Sequence, residues 1–400
     1  MQVPYFRPSI TQADIDQVVA VLRSGWLTTG PRCRAFETAF AAAVGAPHAV
    51  ALGSCTAALH LSLEAVGVRP GDLVLVPALT FAATAEVVVA LGATPVFVDV
   101  DPSTLCMDAD ALAATVDALR HGRPATGLAP PHGPLRAVVP VHYGGVVADV
   151  AGLRRVAAGH GLAMVEDCAH AFPAEWRDGP DAPWRAAGDG ADVACFSFYA
   201  NKTITTGEGG MATTARGELA DRIRTMSLHG MSHDAYRRYE GGGEWDYEVL
   251  AAGYKYNMTD LAAALGLAQL ARAAEMRERR RALAQRYTEA LSGVEELELP
   301  AEPPDRRSSW HLFAVRCRSG RDALIERLRQ QGVGTSVHWR PLPMQPYYRD
   351  RFGLRSETFP VAAREWQRLV SLPLFPDMTE AEQAYVVREL RSALASPNPS

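Results

Sequence analysis

Short apolar runs alternate with helical patterns along the first half of this chain. Six of these runs are candidate strands, and several of them are apolar almost continuously, as strands buried on both faces of a parallel sheet must be. Helical patterns lie between them, over Thr56–Val66, Ala82–Leu91 and Val150–Ala158. The alternation predicts an α/β fold with an open, mostly parallel sheet. The predicted strands are His48–Leu52, Leu73–Val76, Pro95–Val98, Arg136–Val141, Leu162–Glu166 and Asp192–Phe198.

The pattern changes after the glycine run at residues 241–243. A long helix and then a smaller α+β pattern follow, so we expect a large domain of residues 1–245 and a smaller C-terminal domain of residues 246–400. Two inserts rich in Pro and Gly, His121–Pro134 and Pro173–Gly190, are predicted to be surface loops. The elements predicted in the second half are helix Thr259–Leu291, strand Trp310–Arg316, helix Arg321–Gln331 and strand Gly334–His338.

Charge and cysteine usage exclude several classes of protein. The net charge is −5, which gives no basic excess for nucleic acid or an anionic membrane. No apolar stretch is long enough for a transmembrane helix, and the first residues do not read as a signal peptide. The six cysteines are irregularly spaced, so we expect reduced thiols, no metal site and a cytoplasmic location.

Lys202 is the first candidate catalytic residue. It follows the strand Asp192–Phe198 and precedes the glycine-dense run Gly207–Gly210. A buried lysine is costly, and desolvation lowers its pKa, which suits imine formation with an aldehyde. An exposed loop lysine is the alternative, but the apolar strand and the glycines that flank Lys202 disfavour it.

Three further segments stand where a predicted strand gives way to a helix. Glu166 and Asp167 offer a carboxylate that can keep a pyridinium nitrogen protonated, although a helix cap or an ion pair explains them equally well. Ser54 and Thr56 begin a helix whose free N–H groups suit a phosphate, or they are a plain helix cap. Phe81 can stack on a cofactor ring or pack in the core. Together with the lysine, these features describe a pyridoxal 5′-phosphate site.

The order of these motifs resembles the DegT-type (DegT/DnrJ/StrS) pyridoxal-phosphate-dependent sugar-nucleotide aminotransferases over nearly the whole chain. The resemblance implies the fold type I architecture of the aspartate aminotransferase superfamily, with a large seven-stranded sheet domain, a small C-terminal domain and a homodimer with shared active sites. The motifs are Gly25–Pro31, Ser54–Leu59, Thr80-Phe81, Pro95–Asp101, Glu166–His170, Phe196–Lys202, Gly207–Gly210 and Gly253–Asp260.

The resemblance also implies a role for each site residue. Lys202 is similar to the lysine that forms the imine with the cofactor, and Asp167 to the partner of the ring nitrogen. His170 would lie by the ring hydroxyl and Phe81 on the ring face. The phosphate would be held by Ser54, Cys55, Thr56 and Ser197, with Asn257 from the partner subunit, whereas the substrate-side positions are Thr28, Thr29, Gly30, Glu208 and His338.

Two features depart from the family pattern. Many members have Ser-Gly-Thr where this chain has Ser54-Cys55-Thr56, and Cys is small enough for the same backbone arrangement. Members usually run straight through the region of the insert His121–Pro134, which we expect to be exposed to solvent, with contact to a partner or the substrate as the alternative.

The segment Tyr254–Met258 resembles that of C4 aminotransferases, because C3 enzymes tend to carry an Asn-Ser-Arg-type motif there. The expected reaction moves an amino group from L-glutamate to a nucleotide-linked keto-sugar, with dTDP-4-keto-6-deoxyglucose favoured. A C3 keto-sugar or a UDP-4-keto-pentose is the alternative acceptor. A remote alternative is a glycosyltransferase that uses Asp99-Val100-Asp101, although so short a motif arises often by chance.

Overall fold

A seven-stranded sheet forms the centre of the molecule in the computed structural model, which describes residues 1–123, 133–232 and 247–395. The strand order is β1-β9-β8-β5-β4-β2-β3, and only β9 runs antiparallel to its neighbours. The expected mostly parallel α/β sheet is therefore confirmed. Its strands are β1 (His48–Leu52), β2 (Leu73–Pro77), β3 (Thr94–Val98), β4 (Leu135–Val138), β5 (Ala163–Asp167), β8 (Val193–Ser197) and β9 (Gly210–Thr214).

Burial on both faces explains the apolar composition of these strands. Every residue of β2 is buried, and so are all but the first residue of β3 and of β5. Helices cover the two faces of such a sheet, so alternation of polar and apolar side chains along a strand would be unfavourable. The helices of this half are α1 (Gln12–Ser24), α2 (Pro31–Val44), α3 (Cys55–Ala65), α4 (Ala82–Ala90), α5 (Ala109–Arg120), α6 (Val150–Gly159) and α7 (Gly217–Ser227).

The C-terminal part has a second apolar core. Leu283, Phe313 and Val386 belong to this core, and Val3 from the N-terminal segment packs into it. Two small three-stranded sheets accompany it, with strand orders β10-β12-β13 and β11-β6-β7. The elements are β6 (Glu175–Trp176), β7 (Arg185–Ala186), α8 (Asp260–Leu270), α9 (Ala273–Leu291), β10 (Leu297–Glu298), β11 (Arg306–Arg307), β12 (Phe313–Cys317), α10 (Arg321–Gln330), α11 (Pro346–Phe352), α12 (Pro360–Trp366), β13 (Leu369–Leu372) and α13 (Glu380–Ala395).

The prediction of one long helix over Thr259–Leu291 is wrong, because the helix ends at Leu270 and a new one begins at Ala273. The break coincides with contacts to the N-terminal segment. Gln269 donates to the carbonyl of Ser9 at 2.9 Å, and Arg272 lies 3.3 Å from a carboxylate oxygen of Asp14. No proline or glycine marks this break in the sequence, and the break lies where the helix contacts the N-terminal segment.

Two further predictions need correction. Gly334–His338 is not a strand: Gly334 bonds to Val3, and only Ser336 forms a bridge to Ser371 in β13. The segment thus divides its hydrogen bonds between two neighbours. The insert Pro173–Gly190 is not only loop, because it contains β6 and β7, which pair with each other.

Some predictions fall outside the described residues. Most of the insert His121–Pro134, the glycine run 241–243 and the domain boundary at 245/246 lie there, so the division into residues 1–245 and 246–400 stays a prediction. No helix of the described ranges combines the length and apolar character that crossing a membrane requires.

Candidate active site

One cavity of about 440 Å³ lies at the carboxyl ends of the sheet strands. In open α/β sheets this edge is where ligands bind, because the loops that follow parallel strands meet there. Ten of the fourteen residues that the sequence indicated line this cavity. They are Ser54, Cys55, Thr56, Phe81, Asp167, His170, Ser197, Lys202, Glu208 and His338.

The N-terminus of α3 supplies one end of the cavity. The Ser54 hydroxyl caps the helix by accepting from the N–H of Ala57 at 3.0 Å, so the cap reading of this residue is correct. The other N–H groups of a first helical turn have no partner within the helix, and they favour an anion. Gly210, where β9 begins, lies so close that a Cβ there would overlap the Ser54–Cys55 peptide.

Asp167, the last residue of β5, is buried and held by hydrogen bonds. Its carboxylate accepts from the Thr84 hydroxyl at 2.9 Å and from the N–H of Ala169 at 3.1 Å, and Thr80 lies 2.8 Å from Thr84. It forms no ion pair with a basic side chain of the described residues. Burial raises the pKa of Asp167, an effect that these two hydrogen bonds and the charge of Lys202 oppose. A cation bound beside it would restore the charged carboxylate.

Lys202 lies in the loop after β8, where its N–H donates to the carbonyl of Tyr199 at 2.9 Å. Burial lowers the pKa of its amine to about 8, and the charge of Arg280 acts in the same direction. Cys55 and Asp167 oppose the shift. A substantial fraction of the amine is therefore neutral near pH 8, as a nucleophile or a general base requires.

His170 and Phe81 line the cavity beside aromatic neighbours. The Nδ1 of His170 accepts from the N–H of Gly144 at 3.3 Å, so Nε2 carries the proton in the neutral ring. Burial lowers the pKa of His170 well below its usual range. Phe81 is 57% exposed, with its ring centre 6.0 Å from that of Trp339. A large exposed ring at the mouth of a cavity is available to stack on a flat ligand.

Residues from the second half of the chain complete the cavity. His311, His338 and Trp339, which we call the histidine wall, line it together with residues of the sheet edge. The Nδ1 of His338 lies 2.8 Å from the Ser371 hydroxyl, and burial lowers the pKa of this imidazole to about 4. His311 is 5% exposed, yet neither ring nitrogen has a hydrogen-bond partner among the described residues.

Four predicted site residues lie elsewhere in the chain. Thr29, Gly30 and Asn257 line a separate cavity of about 560 Å³, where Asn257 donates to the Thr29 hydroxyl at 2.7 Å. Thr28 is exposed, and its carbonyl accepts from the N–H of Asp260 at 3.2 Å. The cavity that contains Lys202 is thus formed without these four residues of its own chain.

The structure also reveals residues that sequence reasoning missed. Thr84 was detectable, because its hydroxyl lies one helical turn after Thr80 in a segment already singled out. His311, Trp339 and Arg280 had no comparable signal, since they lie outside the strand-to-helix junctions on which the search relied.

The carboxylates of Asp99-Val100-Asp101 are engaged by the protein itself. Asp99 accepts from the N–H groups of Val361 and Ala362, both at 2.9 Å, and so caps α12. Asp101 accepts from the backbone of Ser103 and Thr104 in a tight turn. Both acids have a structural use, so the glycosyltransferase reading has no support in this geometry.

Among the described residues, one group of side chains has the spacing of metal ligands, namely His142, Glu166 and Cys168. His142 Nδ1 accepts from the N–H of Ala148 at 3.2 Å, which leaves Nε2 to donate to Glu166 at 3.0 Å. The N–H of Gly188 donates to the same Glu166 oxygen. Glu166 is a residue of β5, so these contacts form a buried hydrogen-bonded cluster at that strand.

The cavity fits pyridoxal 5′-phosphate. Asp167 is buried without a basic partner in the described chain, as a carboxylate that pairs with a pyridinium should be. The α3 N-terminus suits the phosphate, and Gly210 leaves room for that peptide. A lysine with a lowered pKa lies in the same cavity. This site on a mostly parallel seven-stranded sheet defines a pyridoxal-phosphate enzyme of fold type I.

Comparison with known proteins gives the family. The chain belongs to the DegT/DnrJ/EryC1/StrS aminotransferase family, whose sequence profile matches residues 8–391. It is 44% identical over 395 residues to the spore coat polysaccharide biosynthesis protein SpsC of Bacillus subtilis, covering 97% of this chain and 96% of that protein.

Solved structures agree with this assignment. A putative sugar aminotransferase from Streptococcus pneumoniae, Spr1654, is 31% identical in its PMP form, with a TM-score of 0.87 over 98% of this chain and 99% of its own. It is also known in a PLP form. The aminotransferase TlmJ of Streptoalloteichus hindustanus is 35% identical, with a TM-score of 0.86 over 98% and 99% of the two chains. The protein is a pyridoxal-phosphate-dependent sugar aminotransferase.

Proposed function

We propose that this enzyme transfers an amino group from L-glutamate to the C4 ketone of a nucleotide-linked keto-sugar. The favoured reaction converts dTDP-4-keto-6-deoxyglucose to dTDP-4-amino-4,6-dideoxyglucose, a step of deoxyaminosugar biosynthesis. The observation that carries the C4 position is the segment Tyr254–Met258, which has the sequence Tyr-Lys-Tyr-Asn-Met rather than an Asn-Ser-Arg type. Its backbone lies against the phosphate-binding segment, because Gly53 donates to the carbonyl of Tyr256 at 2.6 Å.

Lys202 carries the proton transfers in this proposal. Its amine would bind the cofactor aldehyde, and, once free in the presence of glutamate, it would take the proton from the glutamate α-carbon. In the second half-reaction it moves a proton in the reverse sense, toward C4 of the sugar. A pKa of about 8 keeps a useful fraction of the amine neutral at physiological pH while its conjugate acid still donates.

Asp167 supports those transfers without moving a proton. When bound, the cofactor supplies a protonated ring that takes up the electron pair left on the α-carbon. Asp167 keeps that ring protonated, and the Thr84 hydroxyl at 2.9 Å fixes the carboxylate in place. His170 is assigned to the ring hydroxyl and Phe81 to the ring face, while Glu208 and His338 are assigned to the substrate.

We further propose a cytoplasmic homodimer in which Asn257 of one protomer completes the phosphate site of the other, with Thr28, Thr29 and Gly30 on the substrate side. The support is that none of these residues lines the Lys202 cavity of its own chain. Val249 and Leu250 nearby in sequence are 66% and 59% exposed, an apolar surface that a second copy would cover. Size-exclusion chromatography with light scattering tests the dimer, and a monomeric active enzyme would contradict it.

The relative SpsC is named for spore coat polysaccharide biosynthesis, which supports a saccharide product but not a particular sugar. The test is therefore direct. Purified enzyme is incubated with glutamate and either dTDP-4-keto-6-deoxyglucose or a UDP-4-keto-pentose, and NMR locates the new amine. An amine at C4 of the dTDP sugar is the expected result, faster turnover of the UDP-pentose would change the substrate, and an amine at C3 would refute the position.

A further inference from the structure

Arg280 in α9 is a buried arginine without a counter-charge. It is 2% exposed and pairs with no carboxylate among the described residues. All of its hydrogen bonds go to backbone carbonyls: Nη1 donates to Leu374 at 2.9 Å, Trp310 at 3.3 Å and His311 at 3.4 Å, and Nη2 to Asn201 at 3.5 Å. An unpaired charge in a protein interior is expensive, so its presence calls for a reason.

The four carbonyls connect Arg280 to the active site. Asn201 immediately precedes Lys202, and His311 lines the cavity that contains Lys202. Trp310 has a φ of +50°, a conformation that is strained for a bulky residue and that persists only where its surroundings enforce it. The guanidinium of Arg280 therefore links the loop that contains Asn201 and Lys202 to the strained turn at Trp310, which precedes His311.

Arg280 also contributes to the electrostatics at Lys202. Its charge lowers the pKa of the Lys202 amine and that of His311, in each case adding to the larger effect of burial. Cys55 and Asp167 act in the opposite sense on the pKa of Lys202. The titratable groups that interact with Lys202 are Cys55 from α3, Asp167 from β5, His170 from the following loop, and His311, His338 and Arg280 from the C-terminal half.

We propose that Arg280 is a positioning residue for the amino-group transfer, whose hydrogen bonds hold the loop that contains Lys202 against the turn before His311 and place an unpaired guanidinium charge beside that loop. The proposal rests on the assignment of Lys202 as the residue that binds the cofactor. Arg280 would act in two ways, one through its charge and one through its hydrogen bonds, and different substitutions remove each of them.

Two variants make the separation. Arg280→Lys keeps the charge and loses part of the hydrogen bonding, whereas Arg280→Gln donates to carbonyls with no charge. The first readout is the pH midpoint of the visible absorption band of the cofactor-loaded enzyme. We expect Arg280→Gln to raise this midpoint by about one pH unit, the size of a close like-charge effect. Arg280→Lys should stay near wild type, although both variants lose thermal stability.

The sequence offers a second readout, because Lys202 and Lys255 are its only lysines. After cofactor removal, the full chain is labelled with acetic anhydride over a pH series, and mass spectrometry compares the two sites. Exposed Lys255 is the internal standard. The pKa of Lys202 should lie near 8 in wild type and move upward in Arg280→Gln. A wild-type Lys202 that titrates in the ordinary range of a lysine overturns the proposal, and a lowered pKa that stays unchanged in Arg280→Gln assigns the shift to burial alone.

The outcomes distinguish this inference from the proposed function. Borohydride reduction that fixes the cofactor at a residue other than Lys202 defeats the assignment on which both rest. Fixation at Lys202 combined with equal midpoints in the Lys and Gln variants defeats only the role of Arg280. Equal midpoints would mean that the charge of Arg280 does not act on Lys202.

Discussion

The two sides of the active-site cavity are built in different ways. On one side, which we call the sheet wall, Ser54–Thr56 and Asp167 stand at strand ends, and the Ser54 hydroxyl and the Asp167 carboxylate are already hydrogen-bonded within the protein. On the other side, the histidine wall is assembled from a segment more than one hundred residues further along the chain, and His311 has both nitrogens unpartnered in the described structure.

This difference fits two kinds of ligand. A cofactor that stays bound through every turnover benefits from a site that is preorganised before it arrives, because less ordering must then occur on binding. Substrates that enter and leave must supply the missing hydrogen bonds themselves, and buried polar atoms without partners provide them with specific targets. We therefore expect substitutions in the sheet wall to impair cofactor binding and those in the histidine wall to impair substrate turnover.

Lys202 belongs to neither wall, and its loss should have the largest effect. Lys202→Ala removes the only amine in the cavity that can bind the cofactor aldehyde and move protons, so we expect turnover to be undetectable. Borohydride should no longer fix the cofactor to the chain, as mass spectrometry of the tryptic peptide will show. In Lys255→Ala, which removes the other lysine, the adduct should persist. Residual turnover by Lys202→Ala would refute the assignment.

The role of the sheet wall in cofactor binding can be tested by substituting Gly210. In Gly210→Ala the new Cβ overlaps the Ser54–Cys55 peptide, so the α3 N-terminus must shift. Overpacking of this kind costs about 1–3 kcal/mol, so cofactor affinity should fall roughly tenfold or more in a fluorescence titration. The matched control is Gly159→Ala, whose Cβ meets open space and which should bind the cofactor normally. Unchanged affinity in Gly210→Ala would mean that the helix N-terminus does not hold the phosphate.

The sheet wall is also the side that the sequence predicted well. Strand, turn and helix start are neighbours in sequence there, so periodicity and small polar residues indicate both the fold and the site. The sequence missed β9 because Gly210–Thr214 has no strong strand pattern, and it lies between β8 and β1, of which β1 is distant in sequence. It missed His311 and Trp339 for a similar reason, because only the tertiary fold carries them to the cavity.

The role of the histidine wall in substrate turnover can be tested by substituting His311. His311→Phe keeps an aromatic ring against His170, whose ring centre is 4.1 Å away, but removes both nitrogens. We expect kcat/KM for the keto-sugar to fall about tenfold, the value of one hydrogen bond to a buried polar group, while cofactor affinity stays at the wild-type level. Partial recovery in His311→Asn would show that a polar atom is what the substrate needs. A His311→Phe enzyme that loses cofactor and substrate binding together would contradict the division between the two walls.

The last expected effect concerns the acid stability of the cofactor-free chain rather than binding or turnover. Burial lowers the pKa of His338 from 6.5 to about 4. Between these two pH values the unfolded chain therefore binds a proton at His338 and the folded protein does not. The free energy of unfolding should therefore fall as the pH drops from about 6.5 to 4, by at most on the order of 3 kcal/mol from this residue. Asp167 contributes in the opposite sense, because its raised pKa makes acidification favourable to the folded state.

Thermal unfolding of the cofactor-free chain across this pH range tests these opposing contributions of His338 and Asp167 to the free energy of unfolding. His338→Gln keeps a polar partner for Ser371 without titrating, so its melting temperature should depend less on pH than that of wild type. If the two curves run parallel, the pKa of His338 is the same in the folded and the unfolded chain, and the acid sensitivity of the protein comes from other groups. A shallower curve for the variant shows that keeping His338 neutral in the wall has a measurable cost in stability.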